Sequence, residues 1–202
     1  MDAPNTKGEH TRQEILQSAY LLFLENGFHG TSMRQIAQGA GIAVGGIYNH
    51  FASKDEIFMA VLSSHHPIFD ILPALNAAEG QNIESFVRDA ATKVVEVVKG
   101  RPDFLNLMFI ELVEFNAQHV PDLFEAFFPQ ALTFVQRFFD GHQELRPIPI
   151  PILLRAFLGL FFSYVMTDIL MGDRMPVDME KTSLDYFIDI FLHGILEEGN
   201  QS

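Results

Sequence analysis

Tyr48, Asn49 and His50 follow a run of small residues, Ala43-Val44-Gly45-Gly46. That pairing suits hydrogen bonding to base edges. A phenol, an amide and an imidazole supply donors and acceptors, and the small residues allow close approach to a groove. A second candidate is Glu111. At 100° per residue Phe104, Met108, Glu111, Leu112 and Phe115 share one side of a helix, which puts a carboxylate on an apolar stripe. Such a group needs a cation, a donor or a ligand. Two readings stand: an internal partner such as Arg137 or Arg155 (or a polar edge position), or a carboxylate that orients a bound ligand. Asn116, Gln118 and His119 lie in the following loop and can line the same space, although His119 also reads as a helix-end or surface histidine.

No catalytic or metal-ligating constellation is present. Gly39-Ala-Gly41-Ile-Ala-Val-Gly45 follows a helical pattern rather than a strand, and its third Gly is misplaced for a dinucleotide loop. Neither a nucleophile elbow nor a phosphate-binding P-loop occurs. His65-His66 is a helix-end pair without zinc spacing. The chain has no cysteine, which excludes thiolate metal sites and disulfides and suits an intracellular, cytoplasmic protein. No cofactor is expected.

The elements that must carry these groups all read with a period near 3.6. Thr11-x-x-Glu14 is a capping box, and the stripe Ile15, Ala19, Leu22, Phe23 runs until Asn26-Gly27. Ser32-x-x-Gln35 opens a short helix to about Ala40. Gly41 makes the turn, and a third helix is expected over about 43–50. Ser53-x-x-Glu56 opens a fourth, to about Ser64. Further helices are expected over 83–99, 103–117, 122–140 (with Pro129 interrupting), 151–171 and 180–198. Pro147, Pro149 and Pro151 stiffen the connection before the last pair. Phe124, Phe127, Phe128, Phe134, Phe138, Phe161 and Phe162 read as core. The fold class is therefore all-α: an N-terminal three-helix helix-turn-helix head and a larger C-terminal helical body. The domains expected are a flexible tail over 1–10, a head over 11–64 and a body over 65–202.

Of the 202 residues 48% are apolar, and 20 are Phe, so the chain can build a sizeable core. Net charge is −13. The first 62 residues set Lys7, Arg12, Arg34 and Lys54 against Asp2, Glu9, Glu14, Glu25, Asp55 and Glu56, a net −2. A nonspecific nucleic-acid coat is excluded; a reader using a few placed cations is not. The segment 152–171 is long and apolar enough to question, but Arg155 and Asp168 interrupt it and no basic cluster flanks it. It reads as a helix buried at a subunit or domain contact, not a membrane span. The N-terminus shows no signal peptide.

The segment from about Thr11 to Leu62 resembles the TetR family of bacterial transcriptional regulators. The matching residues are Ile15-Leu16, Ala19, Phe23, Gly27-Phe28, Thr31-Ser32, Ile36-Ala37, Ala40-Gly41-Ile42, Gly45, Ile47-Tyr48, His50-Phe51 and Ser53-Lys54-Asp55-Glu56. The resemblance implies roles by position. Ser32 and Arg34 open the helix that touches the DNA backbone. Ala43, Val44, Gly45, Gly46 and Asn49 face the groove. Tyr48, His50 and Lys54 reach phosphates or nearby base edges. It further implies a homodimer through the last two helices, a palindromic double-stranded operator, and a body that takes an apolar small-molecule effector beside Phe104, Met108, Glu111, Phe115 and His119. The function implied is a ligand-responsive regulator, most simply a repressor. The alternative is a helical small-molecule-binding protein with weakened DNA reading. Ala43, where the family often has Ser, and Gly45-Gly46 within a short helix favour that alternative, since each weakens the reading helix.

Overall fold

The computed structural model describes residues 7–139, 146–171 and 183–195. Its elements are α1 (Lys7–Asn26), α2 (Met33–Gly39), α3 (Val44–Ile47), α4 (Lys54–Ser64), α5 (Ile68–Asn76), α6 (Ile83–Lys99), α7 (Pro102–Glu114), α8 (Val120–Phe139), α9 (Ile150–Met171) and α10 (Ser183–Ile195). Among the described residues there is no strand. Most of the expected tail (residues 1–6), the ends of the helix expected over 180–198, and the side chains of Phe124, Phe127, Phe134, Arg137 and Phe138 lie outside the described set.

The helix pattern differs from expectation in several places. The first helix begins at Lys7, so Thr11 lies inside it; Glu14 pairs with His10 at 3.3 Å, one turn back. The third helix stops at Ile47 rather than His50. The segment read as a plain link after residue 64 contains α5. Pro67 sits at its N-cap, where no donor is needed, and only Pro73 interrupts its bonding. Finally, α7 ends at Glu114 because Asn116 (φ 52) and Ala117 (φ 61) turn left-handed, with the Ala117 N–H donating to the Glu111 carbonyl at 3.1 Å. Pro129, by contrast, is carried inside α8 without ending it.

The chain forms two compact units. The first is Met1–His66 with Pro102–Glu125; the second is Pro67–Arg101 with Ala126–Ser202. The head expected over 11–64 thus holds a body helix, α7, within its own unit. The core of the first unit is Ile15, Ala19, Phe23, Ile36, Ile47, Ile57 and Phe58, all fully buried. Each large side chain so removed from water contributes about 1.5–3 kcal/mol. Phe23 and Phe58 meet edge to face, ring centres 5.4 Å apart.

In the second unit α6 buries Val87, Ala90, Ala91, Val94 and Val95, and packs with α9 and α10. Arg88 of α6 ties α10 through Asp185 (2.6 Å) and Asp189 (2.9 Å). Lys99 reaches Asp168 of α9 at 2.5 Å. The expected stripe on the last helix is present in Ile188, Phe191 and Leu192, all buried. α9 buries Leu153, Phe161, Tyr164 and Val165 but leaves Ile152, Leu158, Phe162, Ile169 and Leu170 exposed. Phe162, expected in the core, is 52% exposed because it lies on this outer face. By length and composition alone, α9 and the stretch Lys54–Asn76 are apolar enough to cross a membrane.

Candidate nucleic-acid interface

The frame of the head is built from strong local signals. Ser32 caps α2: its hydroxyl accepts the Gln35 N–H at 3.3 Å, and Gln35 Oε1 accepts the Ser32 N–H at 2.9 Å. Both donors at the helix start are thereby satisfied. Ser18 of α1 donates to the Ile36 carbonyl at 3.0 Å, and Gly39 lies so close to Ser18 that no Cβ fits between them. Gly41 (φ 68) makes the turn, and the Ile42 N–H returns to the Ala37 carbonyl at 3.0 Å.

α3 is built differently. Ala43 stands at its N-cap with no side-chain bond. Ile47, fully buried, anchors the helix, and Phe51 is buried just beyond it. Ala43, Val44, Gly45, Tyr48 and Asn49 are exposed, with Gly46 and His50 half-buried. Tyr48 is 55% exposed, so it does not serve as a packing residue. Ser32 and Arg34 at the start of α2 are exposed as well. The structure therefore places the expected groove-facing residues on one short segment seated by Ile47 and Phe51.

Lys54 has a different setting from the one expected. Its ammonium donates to the Phe28 and Thr31 carbonyls, both at 2.6 Å, and lies 4.0 Å from the centre of the Phe28 ring. Two of its three N–H groups are committed inside the head, leaving one for any phosphate. Burial lowers its pKa, opposed by the charges of Asp55 and Glu114. Sequence reasoning did not single out Arg12, an exposed cation whose guanidinium lies 4.5 Å from the centre of the Phe51 ring, just beyond the exposed segment Tyr48–Asn49. Its only signal was one of four cations in a head with few.

Of the residues expected at the effector, Glu111, Phe115 and His119 come together. Glu111 is fully buried. Its carboxylate accepts the His119 N–H at 2.6 Å and meets His119 Nδ1 at 2.8 Å. The partner shown is His119, brought there because the left-handed turn at 116–117 folds the chain back on the last turn of α7, while the side chain of Arg137 lies outside the described residues. His119 is accordingly buried rather than a surface group. Phe115 packs on Phe28, Phe58 and His119. Phe104 lies seven residues from Glu111, about 10 Å along the helix, and packs on His66 at 4.8 Å. Met108 is half-buried between them, and Leu112, expected on the same side, is 47% exposed. No buried side-chain polar atom among the described residues lacks a partner, and no group of acidic or histidine residues there fits a metal ion.

Residues 15–61 match the family model described as bacterial regulatory proteins, tetR family. The chain is 40% identical over 62 residues to the HTH-type transcriptional regulator UidR of Escherichia coli K12, covering 31% of this chain and 32% of that protein. It is 50% identical over 46 residues to the HTH-type transcriptional repressor KstR2 of Mycobacterium tuberculosis, 23% of each chain. It thus spans about a third or less of the curated relatives it matches. Among solved structures, a TetR family transcription regulator from Marinobacter aquaeolei VT8 superposes with TM-score 0.68 at 17% identity, over 94% of this chain and 97% of that one. NalD, the secondary repressor of the MexAB-OprM multidrug efflux pump in Pseudomonas aeruginosa, does so with TM-score 0.66 at 21% identity, over 95% and 100%. At these identities the likeness is one of fold.

Proposed function

Through residues 15–61 the chain belongs to the TetR family, and from that premise we propose that it is a cytoplasmic, homodimeric, DNA-binding transcriptional regulator, a repressor, and not an enzyme. The observation that carries this is the exposed edge Ala43–Asn49 on a helix whose one buried side chain is Ile47. A side chain as large as Tyr48 held in water beside Asn49 and two bare glycines suits a groove rather than a core. Ser32, Arg34, His50 and the remaining N–H of Lys54 serve the phosphates, with Arg12 as a further cation.

The apolar outer face of α9, with α10 beside it, is the dimer surface in this reading. Two heads then reach half-sites of a palindromic operator about one DNA turn apart. The effector is a small apolar molecule held near Phe104, Met108, Phe115, Glu111 and His119. The internal pairing of Glu111 supports an apolar ligand, since both its carboxylate oxygens already have partners within the chain. The ligand acts by preferring a state in which the heads are wrongly spaced.

The test is selection of duplexes from a random-sequence library by the whole protein, followed by gel shift of Tyr48→Ala. The expected result is a near-palindromic consensus, bound by the native chain and lost in the variant with helicity unchanged. Native affinity in the variant removes the assignment. Failure to select any duplex favours the second reading, a helical small-molecule binder, for which the uncapped α3 is the specific observation.

A further inference from the structure

The turn joining α1 to α2 is gripped from two sides. Gly27 leaves α1 in left-handed backbone (φ 71). The next two backbone donors point away from any helix, and such donors need acceptors. Glu114, the last residue of α7, supplies both: Oε1 accepts the Phe28 N–H at 3.1 Å and Oε2 the His29 N–H at 2.8 Å. On the carbonyl side, Lys54 donates to Phe28 and Thr31. Thr31 itself donates through its hydroxyl to the Leu22 and Gly27 carbonyls, at 3.1 and 2.8 Å. The following residue is Ser32, the cap of α2. Gly27 borders the same device: a Cβ there would stand 2.7 Å from Glu114 Oε1, so a side chain would push the carboxylate off its present seat.

We propose that Glu114 is a positioning residue for DNA binding, whose carboxylate fixes the 27–31 turn and, through it, the start of α2 with Ser32 and Arg34. This rests on the DNA-binding reading above. Bonds from backbone N–H groups to a carboxylate are charge-assisted and directional, so they hold a turn more firmly than apolar contact. The role opposes simple electrostatics. Deleting a carboxylate that sits against the first 62 residues, already at net −2, should by itself tighten binding to a polyanion. A loss of affinity on deletion is therefore geometric in origin.

The experiment uses the full chain, with Glu114→Ala and Glu114→Gln, and a duplex selected by the unmodified protein from a random-sequence library as probe. In the free protein, hydrogen exchange at the Phe28 and His29 amides should quicken roughly tenfold or more in Glu114→Ala. Affinity for the duplex should fall roughly tenfold. The slope of affinity against salt should stay unchanged, since no phosphate contact is removed. Glu114→Gln should fall between, because its amide oxygen accepts one N–H while its NH2 opposes the other. Native or tighter duplex binding in a folded Glu114→Ala overturns the proposal, as does unchanged exchange at the two amides. Should Glu114→Ala fail to fold, native affinity in Glu114→Gln overturns it instead. If the unmodified protein selects no duplex, the DNA-binding reading falls and this role with it, whatever the exchange shows.

Discussion

α2 and α3 are neighbours of similar brevity, yet they are made to opposite standards. α2 has a two-way cap at its start, two buried residues, a hydroxyl from α1 on its backbone and a crossing too close for a side chain at Gly39. α3 has no side-chain cap, one buried residue, and two glycines with open space where a Cβ would stand. The contrast teaches that the firm local bonding sits in α2, while α3, the helix offered to DNA in the proposed reading, buries a single side chain of its own. Glycine inside a helix costs about 1 kcal/mol relative to alanine, so α3 contributes little stability of its own and depends on the burial of Ile47.

The largest effect should come from that single point. Ile47→Ala removes the fully buried anchor and should destabilise the head by about 3 kcal/mol, read as a lowered denaturation midpoint. Unchanged stability would mean that α3 is not seated as described. The next tests the frame alone. His66, at the end of α4, has its pKa lowered by burial from 6.5 to about 4. The native state favours the neutral ring, so its stabilisation is complete above pH 6.5 and is lost as pH falls from 6.5 to 4, with no further loss below. Allowing for solvent screening the loss is on the order of 2 kcal/mol. It should appear in thermal melts against pH and vanish in His66→Phe.

Two smaller changes break and sharpen the contrast directly. Ser32→Ala should cost about 1 kcal/mol and loosen α2. Ala43→Ser with Gly46→Ala should add about 1–2 kcal/mol to α3, since a cap is missing and the space at Gly46 is open. Both are read by thermal shift. Stabilisation by Ser32→Ala, or destabilisation by the paired change, would reverse the assignment of frame and reader.

The frame was largely legible in the sequence because its signals are local. Ser32 with Gln35, Gly41, and the stripe Ile15, Ala19, Phe23 each sit within a turn or two of their partners. The exposed run around Tyr48 and Asn49 was legible for the same reason. What the sequence hid lies at long separation. Glu111 looked like a charge in need of Arg137 or Arg155, because nothing local shows that Asn116 and Ala117 both adopt left-handed backbone and return His119 to it. Glu114 carried no signal at all: its partners stand 85 and 86 residues away. The family resemblance put Lys54 at a phosphate-contacting position, while its carbonyl partners depend on how α4 packs against the turn. α5 was hidden by two prolines that usually mark linkers.

The pairing of Glu111 with His119 has a consequence for chain length. The two groups are eight residues apart and meet across a turn with two successive L-residues in left-handed backbone. An insertion or deletion of one residue there would swing the imidazole off the carboxylate and leave the buried Glu111 without its partner. This stretch should therefore tolerate changes of residue type far better than changes of residue number.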